Sequence, residues 1–252
     1  MKQIALVSYA DERMTISAEK LMQSGMKFGF TSCEYFMPAD LDEDFKQRMA
    51  PILAQDRGAG WYCWKPWAIK KVMDRLADGN IIMWSDAGSE FIQPIRHLVD
   101  AMDEDILFFS NGCRHLDWCK MDLIKYCFPN YGLPGNLGGQ ITERLNNAKQ
   151  VQASHVLFMV TENTRLFVAH WLDLAMRHHL VDNSPSAHDN VPTFAEHRWD
   201  QSILCCLQIM YGYKLHWFPS TTGFHIKDQH PEDHYPAMFL HHRKRNWEWS
   251  NQ

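Results

Sequence analysis

Residues 65 to 86, KPWAIKKVMDRLADGNIIMWSD, leave this chain few folds to choose from. Ile69, Val72, Met73 and Leu76 recur at the spacing of one helix face, with lysines and Arg75 between them. Pro66 suits the first turn of that helix, because its fixed φ is already helical and its missing N–H would have no partner there. Asp78-Gly79-Asn80 then stops the helix, and Ile81 to Trp84 form a short apolar run. Such a run needs cover on both faces, which is the situation of a strand inside a largely parallel sheet. Asp86 emerges at its carboxyl end, where open α/β sheets bind ligands, and an acidic residue there suits a metal or a phosphorylated substrate.

The rest of the chain alternates in the same way. Strands are expected at Ile4 to Ser8, Thr31 to Phe36, Ile106 to Ser110, Val151 to Val160 and Lys214 to Phe218. Helices are expected from Ser17, as N-cap, to Gly25, as C-cap, and over Leu41 to Ala54, Thr164 to His179 and Ser202 to Tyr211. Pro129 to Gly139 reads as a loop, and Asp182 to Thr193 as a mobile surface loop. No internal repeat or low-complexity tract interrupts the pattern. The fold class is therefore α/β, a mostly parallel central sheet with helices on both faces.

Composition narrows the function classes. A formal net charge of -5 gives no reason to expect nucleic acid as a partner. No apolar run approaches the roughly 18 residues of a membrane span, and Met1 leads almost directly into a strand, leaving no room for a signal peptide. Seven cysteines, an odd number with Cys205 and Cys206 adjacent, suggest reduced thiols and a cytoplasmic location. Cys113, Cys119 and Cys127, like His225, His230 and His234, have spacings that match no standard zinc pattern. Ten tryptophans, several in loops, suit a dense aromatic core, and some suit sugar faces.

The order of a WKP loop (Trp64, Lys65, Pro66), an amphipathic helix, an apolar strand and the Asp86-Ala87-Gly88 turn resembles GT-A glycosyltransferases. More narrowly, Gly58 to Pro66, GAGWYCWKP, followed by that turn and by His197-Arg198-Trp199-Asp200-Gln201-Ser202, is similar to small microbial and viral glycosyltransferase-like proteins. The resemblance runs from the first strand to about residue 243. It implies one GT-A-like (Rossmann-like) domain over 1–252, with 1–110 the nucleotide-binding half and 111–252 the acceptor half and closing segment. One departure stands out: the metal motif of the family is Asp-x-Asp, and Gly88 occupies its second acidic position.

What the resemblance implies for the site is specific. Ser8, Tyr9 and Asp11, at the tip of the first strand, would take the nucleotide, with Trp64, Lys65, Asp86, Gly88 and Arg243 completing the donor set. Asp86, His241 and His242 would hold Mn2+ or Mg2+, with the Ser89 hydroxyl as a further ligand directly or through water. Asp200, at a helix start, and Gln201 would be catalytic. The segment Met238 to Arg245 would close over the diphosphate. The expected activity moves a sugar from a nucleoside-diphosphate donor, UDP by preference, to a carbohydrate or other hydroxyl acceptor. Two other readings use the same residues: a metal-dependent hydrolase of a phosphorylated substrate, and a non-catalytic glycan or nucleotide binder.

Overall fold

The computed structural model describes residues 2–222 and 224–249, the side chains of 224–226 excepted; the His225 imidazole therefore lies outside the described residues. In chain order come β1 (Ile4–Tyr9), α1 (Thr15–Lys27), β2 (Ser32–Phe36), α2 (Glu43–Leu53), α3 (Gly58–Trp61), α4 (Lys65–Met73), β3 (Ile81–Ser85) and β4 (Ser89–Phe91). There follow α5 (Arg96–Asp100), β5 (Ile106–Arg114), α6 (Met121–Cys127), α7 (Asn136–Asn147), β6 (Lys149–Met159) and α8 (Glu162–Ala175). The last elements are α9 (His178–Val181), α10 (Trp199–Tyr211), β7 (Leu215–Trp217), β8 (Phe239–His241) and α11 (Asn246–Trp249).

Six strands form one sheet in the order β2-β1-β3-β6-β5-β7. β1 pairs in parallel with β2 and β3, β5 in parallel with β7, and only β6 runs against its neighbours β3 and β5. The fold is thus α/β with a mostly parallel sheet, as the strand-helix alternation predicts. Period-two alternation divides the core. Val7, Ile82, Trp84, Phe108 and Phe158 face α2, α4, α8 and α10, while Leu6, Ile81, Met83, Leu107 and Leu157 face α1, α5 and the β4–β8 pair. No described helix is long and apolar enough to cross a membrane.

Several local expectations change. Gly25 does not end a helix; it lies inside α1, where a Cβ would come 2.4 Å from Leu6 Cδ2, so it is glycine because the helix packs directly on β1. Ser17 is likewise inside α1, and its hydroxyl donates to the Lys244 carbonyl at 2.6 Å. The stretch 129–139 runs into a helix, since α7 begins at Asn136. Residues 182–193 are irregular, as expected, yet anchored. Lys120 Nζ is 2.8 Å from Asp182 Oδ1, and Asn190 Oδ1 accepts from the Met121 amide at 2.8 Å.

The short second sheet, β4 with β8, places the C-terminal segment. Ser89 pairs with His241 and Phe91 with Phe239, so residues 239–243 are laid along the turn that follows Asp86. Asn246 then clasps the start of α1: its Oδ1 accepts from the Ile16 amide at 2.9 Å, and its own amide donates to the Arg13 carbonyl at 2.8 Å.

Candidate functional site

The carboxyl ends of β1 and β3, the α3–α4 connection, the start of α10 and residues 241–245 enclose a cleft of about 620 Å³. At its base Lys65 is the organising group. Its ammonium is 2.9 Å from Asp200 Oδ2 and 3.3 Å from Asp86 Oδ1, and it donates to the Ala153 carbonyl at 3.0 Å. Placing a lysine at the first turn of α4 aims its stem across the sheet end, where β3 delivers Asp86 and α10 delivers Asp200. Burial alone would lower the Lys65 pKa, but Asp200 and then Asp86 hold it above the ordinary value, so the ammonium stays charged. Asp200, almost wholly buried, is pushed up to about 6 by desolvation, against the pull of Lys65.

Asp86 Oδ1 also accepts from Trp84 Nε1 at 3.0 Å. Trp64 stacks on Tyr9 with ring centroids 3.8 Å apart and planes 13° from parallel. Its indole N–H donates to the Gly58 and Ala59 carbonyls, each at 3.1 Å, which fixes the GAGW turn against β1. Gln201 donates to Gln150 Oε1 at 2.7 Å. The non-glycine residues with positive φ among those described are Ala59, Trp61, Tyr62, Trp199 and Arg243. Four of the five line this cleft and Trp61 adjoins it. Left-handed backbone at such residues is strained by about 1–3 kcal/mol each, and it is kept where the surroundings enforce it.

Of the sequence-expected residues, Tyr9, Asp11, Trp64, Lys65, Asp86, Gly88, Asp200, Gln201, His241 and Arg243 all line the cleft. Ser8 and His242 do not. Ser8 points into the interior, fully buried, because alternate residues of β1 face opposite sides of the sheet. His242 turns to the other side of β8, with Nε2 3.7 Å from Glu90 Oε1 and its ring 5.1 Å from that of Trp249. The Ser89 hydroxyl is buried beneath the turn, donating to the Asp86 carbonyl at 2.7 Å and 3.1 Å from His155 Nε2. Arg13, Arg57, Gln152 and Ser154, which also line the cleft, carried no signal along the chain, while Arg198, Trp199 and Arg245, likewise in the lining, were expected only as members of the 197–202 motif and of the closing segment.

A protein-held divalent ion finds a poor ligand set here. His242 is turned away, and His241 Nε2 already accepts from Arg243 Nε at 3.3 Å. Position 88 has no room for the second carboxylate of an Asp-x-Asp motif, because a Cβ there would lie 2.7 Å from Arg243 Cα. One oxygen of Asp86 is occupied by an indole N–H and an ammonium. The residues do not fit the ion. Groups of three or more metal-type ligands do occur among the described residues, at His115, Cys119 and Cys206 and at His230, Glu232 and Asp233, but neither lines this cleft. The first joins residues far apart in sequence, which linear spacing does not reveal. Its His115 Nδ1 is buried with no hydrogen-bond partner, whereas a metal-bound imidazole almost always gives its other nitrogen one.

No protein-family model and no curated protein sequence matches the chain. Solved structures with a similar chain path include the apo form of mouse xyloside xylosyltransferase 1, at 11% identity over 96% of this chain and 98% of that chain, with a TM-score of 0.47. A glycosyltransferase involved in glycosylation of the major capsid of PBCV-1 is similar at 10% identity, covering 99% and 98%, with a TM-score of 0.46. The galactosyltransferase LgtC, in complex with donor and acceptor sugar analogs, is similar at 11% identity, covering 94% and 86%, with a TM-score of 0.43. At these values the likeness is one of chain path.

Proposed function

We propose that this chain transfers a sugar from a nucleoside-diphosphate donor, UDP-sugar by preference, to a hydroxyl acceptor. The observation that carries the reading is the Asp86–Lys65–Asp200 arrangement at the base of a cleft rimmed by arginines, at the carboxyl ends of the strands. In transfer, the bond between the anomeric carbon and the diphosphate oxygen breaks, and its electron pair leaves with the diphosphate. The acceptor oxygen bonds to that carbon and gives up its proton. Asp200, with its pKa near neutrality, is assigned to receive that proton, and Gln201 to orient the sugar.

Arg243 and Arg245 are assigned to the diphosphate, since a guanidinium meets two phosphate oxygens at once. The lining residues between 9 and 88 are assigned to the donor and those between 152 and 201 to the acceptor, following the proposed division into halves. The odd count of seven thiols carries the cytoplasmic placement as part of the same proposal.

The test is a screen of nucleotide sugars for thermal stabilisation and for release of nucleoside diphosphate, followed by Asp200→Asn. The expected result is one base-specific donor class. Asp200→Asn should lose about 100-fold or more in kcat with little change in donor affinity. Retained turnover in that variant would remove Asp200 from the chemistry, and no stabilisation by any nucleotide would overturn the reading.

A further inference from the structure

We propose that nucleoside-diphosphate binding in this cleft is independent of divalent ions, the chain's own cations standing where a metal-bridged site carries acids. Arg243 and Arg245 meet the diphosphate, and Lys65 takes the bridging position between the two carboxylates. The proposal rests on reading the cleft as a donor site and says how that site handles charge.

Three observations carry it. The first is steric. The Gly88 carbonyl accepts from the amides of both His242 and Arg243, at 2.9 and 2.8 Å. The C-terminal segment therefore lies directly on the turn, and Arg243 Cα occupies the space a side chain at 88 would need. An acidic residue is excluded by the same contact that brings Arg243 in.

The second is the state of the remaining ligands. A divalent ion on Asp86 would compete with the buried Lys65 ammonium 3.3 Å from Oδ1. Lys65 has nowhere else to go, being fully enclosed and held by Asp200 and the Ala153 carbonyl as well. Two like charges in that space would repel strongly at low local dielectric. His241 spends its Nε2 lone pair on Arg243.

The third is the charge of the lining. Six cationic side chains, Arg13, Arg57, Lys65, Arg198, Arg243 and Arg245, face four carboxylates, Asp11, Asp56, Asp86 and Asp200. Asp11 and Asp56 are both paired with Arg13, and Asp86 and Asp200 with Lys65. Arg57 and Arg198 share Glu196. Among the described residues the guanidinium groups of Arg243 and Arg245 form no ion pair with a carboxylate, only the Arg245 backbone amide donating to Glu248 Oε2 at 2.7 Å, and both side chains are exposed and line the cleft. A positively charged cleft in a chain of net charge -5 recruits an anion and repels a metal dication. Arg243 is moreover held at φ 56°, a strained conformation that is retained here to point a guanidinium at this space.

The experiment uses the full chain, stripped with EDTA and desalted, and titrated calorimetrically with UDP, GDP and ADP in EDTA and again with Mn2+ or Mg2+. The nucleotide that binds is expected to do so with equal affinity, within about twofold, in both buffers, while Arg243→Ala and Arg245→Ala each weaken it by about tenfold or more. Arg245→Ala keeps the test sound if the Arg243 variant misfolds, because Arg245 has ordinary φ and a solvent-facing side chain. Affinity that rises about tenfold or more with Mn2+ would overturn the proposal and leave the donor site standing. No binding of any of the three nucleotides in either buffer would overturn the donor site, and this proposal with it.

Discussion

The Lys65 ammonium and the Asp200 carboxylate, 2.9 Å apart, are both almost wholly shut off from water, at 2% and 4% side-chain exposure. Removing one partner of such a pair leaves the other charge buried without compensation, which typically destabilises by about 3–5 kcal/mol. Lys65→Met is therefore expected to shift the denaturation midpoint strongly at pH 7. The deficit should shrink in acid, where Asp200 binds a proton and the uncompensated charge disappears. Urea titrations of both proteins at pH 7 and pH 5 check this; an equal deficit at the two values would show that lost packing dominates.

The pH dependence of turnover follows from the same carboxyl. Burial raises Asp200 from an ordinary 3.8 to about 6, so the folded state binds its proton more tightly than the unfolded chain does. Its contribution to stability is therefore present in full below 3.8 and is lost as pH rises through about 6. In the proposed mechanism the form that accepts the proton is the carboxylate. Turnover should fall on the acid side with an apparent pKa of about 6, and Asp200→Asn should abolish that limb. A wild-type profile flat to pH 5 would contradict the assignment.

Gly88→Ala asks how closely the closing segment sits. The added methyl would meet Arg243 Cα at 2.7 Å, so the segment must move. Nucleotide affinity is expected to fall by about tenfold, with a stability loss of about 1–3 kcal/mol from overpacking. Gly139→Ala, which meets nothing within 4 Å and lies inside α7, is the control and should stabilise by about 0.5–1 kcal/mol. Calorimetry and thermal melts on the pair decide it.

Arg243→Gly should separate stability from binding. Glycine takes φ 56° without penalty, so the melting temperature should hold or rise, while nucleotide affinity drops because the guanidinium is gone. A fall in both would mean that the Arg243 side chain anchors the fold.

How much of this was legible in the sequence depends on how local the signal is. The α4–β3–Asp86 unit is written in contiguous residues, helix periodicity followed by an apolar run, and the structure reproduces its order, with the strand where expected and the helix ending at Met73, short of the expected stop at Asp78-Gly79-Asn80. The six main strands were legible for the same reason. What was not legible is set by packing across the chain. Gly25 resembles a helix stop but exists for contact with Leu6. Ser8 and His242 sit one residue from cleft-lining Tyr9 and His241, and in a strand one residue is the difference between opposite faces. The arginine rim gathers Arg13, Arg57, Arg198 and Arg243 from four separate segments, and no window along the chain holds more than one of them.

The Asn246 clasp onto Ile16 joins residues 230 positions apart. Closing a loop of that length is entropically costly and gains nothing until the sheet between the two ends has formed. Arg243 and Arg245 hang from this clasp and from the β4–β8 pair, so the arginine wall they complete is whole only in the fully folded chain. Partly folded species that retain the central sheet should bind nucleotide no better than the denatured chain. A ligand held by that wall is thereby coupled to global unfolding, and its binding becomes a reporter of how much of the protein is native.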